Sequence, residues 1–264
     1  MKIYKPSAPI WTDAQEPLSQ WYASGLGQSM LAQVEQRLGD HLSDVFGYQG
    51  LQVGNLCSNR DLLERAGLHR KIVFDAPGRD ADINGDALQL PVAADTMKAV
   101  IFLHTLDFCD NPHQALREAD RVLAEDGQLF IVGFNPISSF GLRHFLTGWR
   151  QREPWNGRFY FRRRVIDWLS VLNYRTLQSE AVFLRPPINS HRLLWSLRRL
   201  ESLSRIAGGI GGVYLIQARK QTIPMTLTRK AWRRHTAGVA TGSIAREQAT
   251  SRVVKLEPKK DSNS

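Results

Sequence analysis

With 264 residues, the chain is long enough for one sizeable α/β domain with extensions but short for two full catalytic domains. Its two cysteines, Cys57 and Cys109, form neither a CxxC pair nor a cluster with histidines, which argues against a metal site or disulfide framework and for a reducing compartment. The 35 basic and 25 acidic residues give a net charge of +10, which suits attraction to polyanions, while no apolar run approaches the roughly 18 residues of a membrane span. A cytoplasmic protein without a transmembrane segment is therefore expected.

Residues 1–45 form an N-terminal helical segment on this reading. From Ser19 onward, Trp21, Tyr22, Leu26, Met30, Val34 and Leu38 recur at helical spacing, which predicts one or two helices packed beside a core. A helix closing over a cofactor pocket is the functional alternative, with Trp21 and Tyr22 as apolar cover. Gly50 to Cys57 (GLQVGNLC) reads as a first strand and the turn after it. Leu62, Leu63 and Ala66 suggest a short helix, and Lys71 to Asp75 (KIVFD) a second strand ending in a carboxylate. Asp75 stands 21 positions after Gly54, near the spacing of about 20 at which a carboxylate receives ribose hydroxyls in dinucleotide folds. An ordinary loop aspartate before Ala76-Pro77-Gly78 is an equal reading.

The stretch Gly85 to Pro136 organises the rest. Ala99 to Leu103 (AVIFL) is an uninterrupted apolar run, as a strand covered on both faces requires. Asp110 or Asn111 can cap a following helix, Pro112 suits its first turn, and Ala115, Leu116, Ala119, Val122 and Leu123 share one face. Gly127 supplies a stop and Leu129 to Val132 a second buried strand, giving a right-handed βαβ crossover. Beyond it, Arg158 to Leu172 reads as a helix with Val165, Ile166, Leu169 and Leu172 inward, and Tyr174 to Leu184 as a strand. Residues 191–209 read as an amphipathic basic helix that covers the sheet, lies on an anionic bilayer or closes a substrate site. Gly208 to Gly212 (GGIGG) leads into a strand, VYLIQA, the reverse of a phosphate loop. Residues 221–264 are polar and basic, which predicts a disordered tail.

At DALQLP (Asp86 to Pro91), FLHTL (Phe102 to Leu106) and NPHQALREADRVLAEDGQLFI (Asn111 to Ile131) the chain resembles class I S-adenosylmethionine-dependent methyltransferases of the type 11 family. GNL after the first strand and GFNPIS (Gly133 to Ser138) resemble a group of poorly characterised proteobacterial methyltransferase-like proteins within it, which suggests a bacterial source. The resemblance spans residues 46–220 and implies a Rossmann-like α/β fold: a mostly parallel seven-stranded sheet of order 3-2-1-4-5-7-6, with strand 7 antiparallel and helices on both faces. It also implies S-adenosyl-L-methionine as cofactor. Gly54, Asn55 and Leu56 would hold the methionine moiety, Asp75 the ribose, and Asp86 with Ala87 the adenine. His104 and Thr105 would close the site at the end of strand 4.

The chain departs from that pattern in its glycine-rich turn. An acid followed by G-x-G-x-G is here Gln52-Val53-Gly54-Asn55-Leu56-Cys57-Ser58, so side chains stand where the backbone would approach the cofactor. Lys98 likewise replaces an acid before strand 4, and the short interval from strand 2 to Asp86 leaves little room for the usual second helix.

Two function classes follow. In the first, the chain methylates a small-molecule or lipid-like acceptor with His104 as base, Asp107 and Asp110 being secondary candidates; a structural histidine is the plainer role. In the second, a catalytically inactive methyltransferase fold with a degenerate cofactor site acts as a binding or scaffold protein. In either, the basic tail makes weak contacts with an anionic membrane or nucleic acid. Nucleic-acid methylation is disfavoured by the absence of an Asn-Pro-Pro-Tyr motif after strand 4.

Overall fold

A computed structural model describes residues 11–56, 61–138, 140–141, 145, 157–183 and 211–221. The expected amphipathic helix at 191–209, the GGIGG residues before Gly211 and the tail beyond Gln221 lie outside the described residues. Chain contacts separate Met1–Ile223 from Pro224–Ser264, and every described residue belongs to the first unit.

Helices α1 (Trp11–Tyr22) and α2 (Gly25–Leu42) precede the sheet. The hydroxyl of Ser24 starts α2 by accepting the Gly27 N–H. Strands β1 (Phe46–Val53), β2 (Gly67–Asp75), β3 (Ile83–Asn84) and β4 (Met97–Leu103) follow. The short turn α3 (Thr105–Phe108) and helix α4 (Pro112–Val122) lead to β5 (Leu123–Phe134), then α5 (Arg162–Val171), β6 (Tyr174–Val182) and β7 (Val213–Lys220). The sheet order is β3-β2-β1-β4-β5-β7-β6. β7 runs antiparallel to both neighbours, and the pairs among β1 to β5 are parallel. This is the Rossmann-like methyltransferase topology.

Side chains leave the strands alternately. Ala99, Ile101, Leu103, Phe130, Val132, Val213 and Leu215 join the layer that contains α1 and α2 through Leu18, Tyr22, Met30, Val34 and Leu38. Val100, Phe102, Leu129, Ile131 and Ile216 join the other layer with Ala115, Leu116 and Ala119 of α4 and Val165 and Leu169 of α5. Both faces of β4 and β5 are thus covered, which explains why their apolar runs show no polar alternation.

Several local expectations are corrected. Leu62, Leu63 and Ala66 lie in turns, not a helix. The Asp61 carboxylate accepts the Leu63 N–H and the Gln52 side chain accepts that of Leu62, so side chains take the donors that open a helix. Of the two expected caps of α4, Asn111 fills the role, accepting the Gln114 N–H at 3.1 Å. Helix α4 ends at Val122 and β5 begins at once, so Gly127 falls inside the strand; Asp126 takes the left-handed conformation there, at φ 58°. α5 begins at Arg162 rather than Arg158, and only Val165 and Leu169 of its expected inner face are fully buried. Among the described residues no helix separates β2 from β3, which leaves the cleft beside Asp75 open to the N-terminal segment.

Candidate functional site

The sheet order reverses between β1 and β4, and the carboxyl ends of these strands are where open α/β sheets bind ligands. At the end of β1, Gly54 adopts φ 98°, a value that excludes most side chains, and donates its N–H to Phe74 O. Asn55 follows, its N–H reaching Asp75 Oδ2 at 3.2 Å and its side-chain amide donating to Asp80 O at 2.6 Å. Thr105 donates to Val53 O across from β4. Gly54, Asn55, Asp75 and Thr105 are therefore brought together by backbone and side-chain hydrogen bonds. Asp86 stands apart on the turn after β3: it is exposed, and its carboxylate accepts the Leu88 N–H. Ala87 beside it is buried.

Asp75 is fully buried. Besides Asn55, it accepts the Ala76 N–H at 2.8 Å and Arg79 Nε at 3.4 Å. Burial pushes its carboxyl above the usual range despite these donors. The family's turn acid is replaced by Gln52, whose amide is buried and satisfied at both ends: its nitrogen donates to Gly54 O and its oxygen accepts from Leu62 N–H.

At the end of β4 the backbone of His104 takes φ 56°, uncommon for a residue with a side chain. Its ring stacks on Phe134 with centroids 4.0 Å apart. Nδ1 lies 2.9 Å from Asp107 Oδ2 and Nε2 lies 2.6 Å from the Tyr22 hydroxyl, with all three side chains buried. With Asp107 ionised, the network assigns the proton to Nδ1, so Nε2 accepts from Tyr22. Asp107 Oδ2 also accepts the Phe134 N–H at 2.9 Å, which fixes the carboxylate that orients the ring.

Tyr22 belongs to α1, and the other contacts on the site come from the same helix. The Trp11 indole packs on the turn, so that a Cβ at Gly54 would come within 3.3 Å of it. Ser19 donates to Leu56 O at 3.0 Å. Glu16 pairs with Arg79, whose guanidinium reaches both Asp75 and Asn55 O. The sequence singled out Tyr22 as cover and Asp107 as a secondary candidate, but missed Trp11, Glu16, Ser19 and Arg79, which carry no motif of their own.

In kind, these groups suit an adenosyl nucleoside: a carboxylate at the tip of β2, a positive-φ glycine after β1 and a small buried residue at 87. In this conformation most of them are covered. Gly54, Leu56, Asp75, Ala87, His104 and Thr105 are all buried, with α1 seated on the strand ends. Among the described residues there is no group of three or more metal-ligating side chains, and no helix is long and apolar enough to cross a membrane.

The sequence matches the family described as methyltransferase domain over residues 50–131. It is 36% identical over 194 residues to the uncharacterized protein YafS of Escherichia coli strain K12, an alignment spanning 74% of this chain and 77% of that protein. Among solved structures, the fold is similar to the (4+2)-cyclase SpnF, with TM-score 0.56 and 16% identity over 83% of this chain and 98% of that one. It is also similar to a SAM-dependent methyltransferase from Thermotoga maritima, with TM-score 0.52 and 14% identity over 78% and 99% of the two chains. At these identities the structural likeness establishes the fold.

Proposed function

We propose that this chain, which belongs to the methyltransferase-domain family and is related to YafS of Escherichia coli, is a cytoplasmic S-adenosylmethionine-dependent enzyme that methylates a small or lipid-like acceptor. One observation carries the reading: the carboxyl ends of β1, β2 and β4 gather Gly54, Asn55, Asp75 and Thr105 through hydrogen bonds at the sheet's switch point, with His104 next in the chain to Thr105. The cofactor would supply an electrophilic methyl group. Asp75 would hold the ribose, Gly54 to Leu56 the methionine end, and Asp86 with Ala87 the adenine. His104, kept with Nε2 unprotonated by Asp107, would take a proton from the acceptor at that atom; Asp107 is then a positioning residue. While the Tyr22 hydroxyl holds Nε2, His104 cannot serve an acceptor. Residues 46–220 would form the catalytic part, 1–45 its cover, and the basic segment 221–264 a recruiting tail for an anionic surface.

A second reading has its own support. Gln52 is satisfied within the turn and α1 fills the cleft, as in a methyltransferase fold that has turned to binding or scaffolding. Fold alone does not imply methyl transfer.

Calorimetric titration with S-adenosylhomocysteine separates the two. The enzyme reading expects binding that weakens at least tenfold in Asp75→Asn, with the folded state checked by circular dichroism. Absence of heat and of a thermal shift at millimolar ligand, in the wild type and in variants with a loosened α1, leaves the scaffold reading standing.

A further inference from the structure

Four side chains of α1 each meet a position assigned above to the cofactor site. Trp11 rests on Gly54 and Ser19 bonds the carbonyl of Leu56. Glu16 holds the arginine that occupies Asp75, and Tyr22 occupies His104 Nε2. One face of one helix thus satisfies the turn after β1, the tip of β2 and the end of β4 in place of a ligand.

The same face is imperfectly satisfied. Trp11 and Gln15 are one helical turn apart and both buried, yet among the described residues the indole N–H of Trp11 and both amide atoms of Gln15 have no hydrogen-bond partner. Buried polar atoms without partners are costly to hold, and such orphans are rare in a settled core. Pro17 lies inside α1 and removes a backbone donor, leaving the helix weaker than its length suggests. The closed arrangement therefore combines specific contacts with a built-in cost.

We propose that α1 is an intramolecular stand-in for the cofactor: it closes the cleft in the free protein and must leave it before an adenosyl nucleoside can enter. The inference rests on the S-adenosylmethionine reading of the site and adds that binding is gated. The open state is the binding-competent one, so the apparent dissociation constant is the intrinsic one divided by the open fraction. Loosening α1 without touching a proposed cofactor contact then tightens binding. This is the reverse of what removing a helix that merely covers the ligand would do.

Two measurements on the full chain with S-adenosylhomocysteine as probe test this. Hydrogen exchange, followed by mass spectrometry, is expected to quicken at least tenfold in peptides covering residues 12–22 when ligand is added, while the ends of β1 and β2 become protected. Glu16→Gln, which removes the ion pair from an exposed carboxylate, and Ser19→Ala, which removes the bond to Leu56, are each expected to tighten binding about threefold to tenfold. Ligand that binds the wild type but leaves α1 exchange unchanged or slowed, or binds the two variants no better, overturns gating and leaves the cofactor reading intact. Failure of the wild type and both variants to bind at millimolar ligand overturns the cofactor reading and gating with it. Binding to the variants alone is the strongest support for gating.

Discussion

Gln15→Met tests the imperfect fit of α1 on the sheet. Gln15 is fully buried, and neither amide atom has a partner among the described residues. Each such atom costs about 1–3 kcal/mol in lost hydration. Methionine is similar in length and unbranched, keeps a comparable helix propensity, and removes both polar atoms. Repacking a residue of near-equal volume costs less than about 1.5 kcal/mol. The balance is a gain of about 0.5–6 kcal/mol, or about 2–4 °C in Tm for each kcal/mol in a domain of this size. Urea unfolding should show a higher midpoint at unchanged slope. Because the gain belongs to the closed form, affinity for S-adenosylhomocysteine should fall in step, about tenfold for each 1.4 kcal/mol. A midpoint that stays put or falls at constant slope refutes the reasoning, since it means that the amide is hydrogen bonded in solution.

Two further outcomes are expected. Gly54 and Gly78 both have positive φ, 98° and 84°, but a Cβ at Gly54 would lie 2.9 Å from Leu103 O whereas one at Gly78 meets nothing within 4 Å. Gly78→Ala should therefore cost about 1 kcal/mol and Gly54→Ala at least about 1 kcal/mol more; equal costs in paired urea titrations would remove the crowding argument. Glu118 is held below its ordinary carboxyl value of 4.5, first by its hydrogen bonds from Arg121 and then by the Leu90 N–H. Between the lowered folded value and 4.5 the unfolded chain binds more protons, so this stabilisation is fully present above 4.5 and is lost as pH falls through the folded value. Glu118→Gln should flatten that acid limb of the stability profile measured by chemical denaturation.

Much of the fold was legible because β4, α4 and β5 announce themselves through periodicity alone: AVIFL and LFIV are buried on both faces, and Ala115, Leu116 and Ala119 form one stripe. The strand order required the family resemblance, since nothing in the local pattern tells β7 to insert between β5 and β6. The turn at residues 61–66 was misread as a helix because its apolar residues have helical spacing. Its outcome is decided by acceptors at Asp61 and at Gln52, the latter ten residues away. At the site, spacing pointed to Asp75, and a strand end to His104. The helix that covers them was read as packing beside the core or closing over a cofactor pocket, but its individual contacts were not, because those such as Trp11 on Gly54 join distant parts of the chain and leave no periodic trace.

Gln52 has one more implication, for anyone who would restore the family's acidic residue by mutation. An amide both gives and takes: its nitrogen faces the Gly54 carbonyl and its oxygen faces the Leu62 N–H. A carboxylate only takes, so Glu at this position would set two oxygens against each other across the turn in a site that is 1% exposed. An ionised acid here and the present pairing of Gln52 with Gly54 and Leu62 thus work against each other, so that substitution calls for rebuilding the turn.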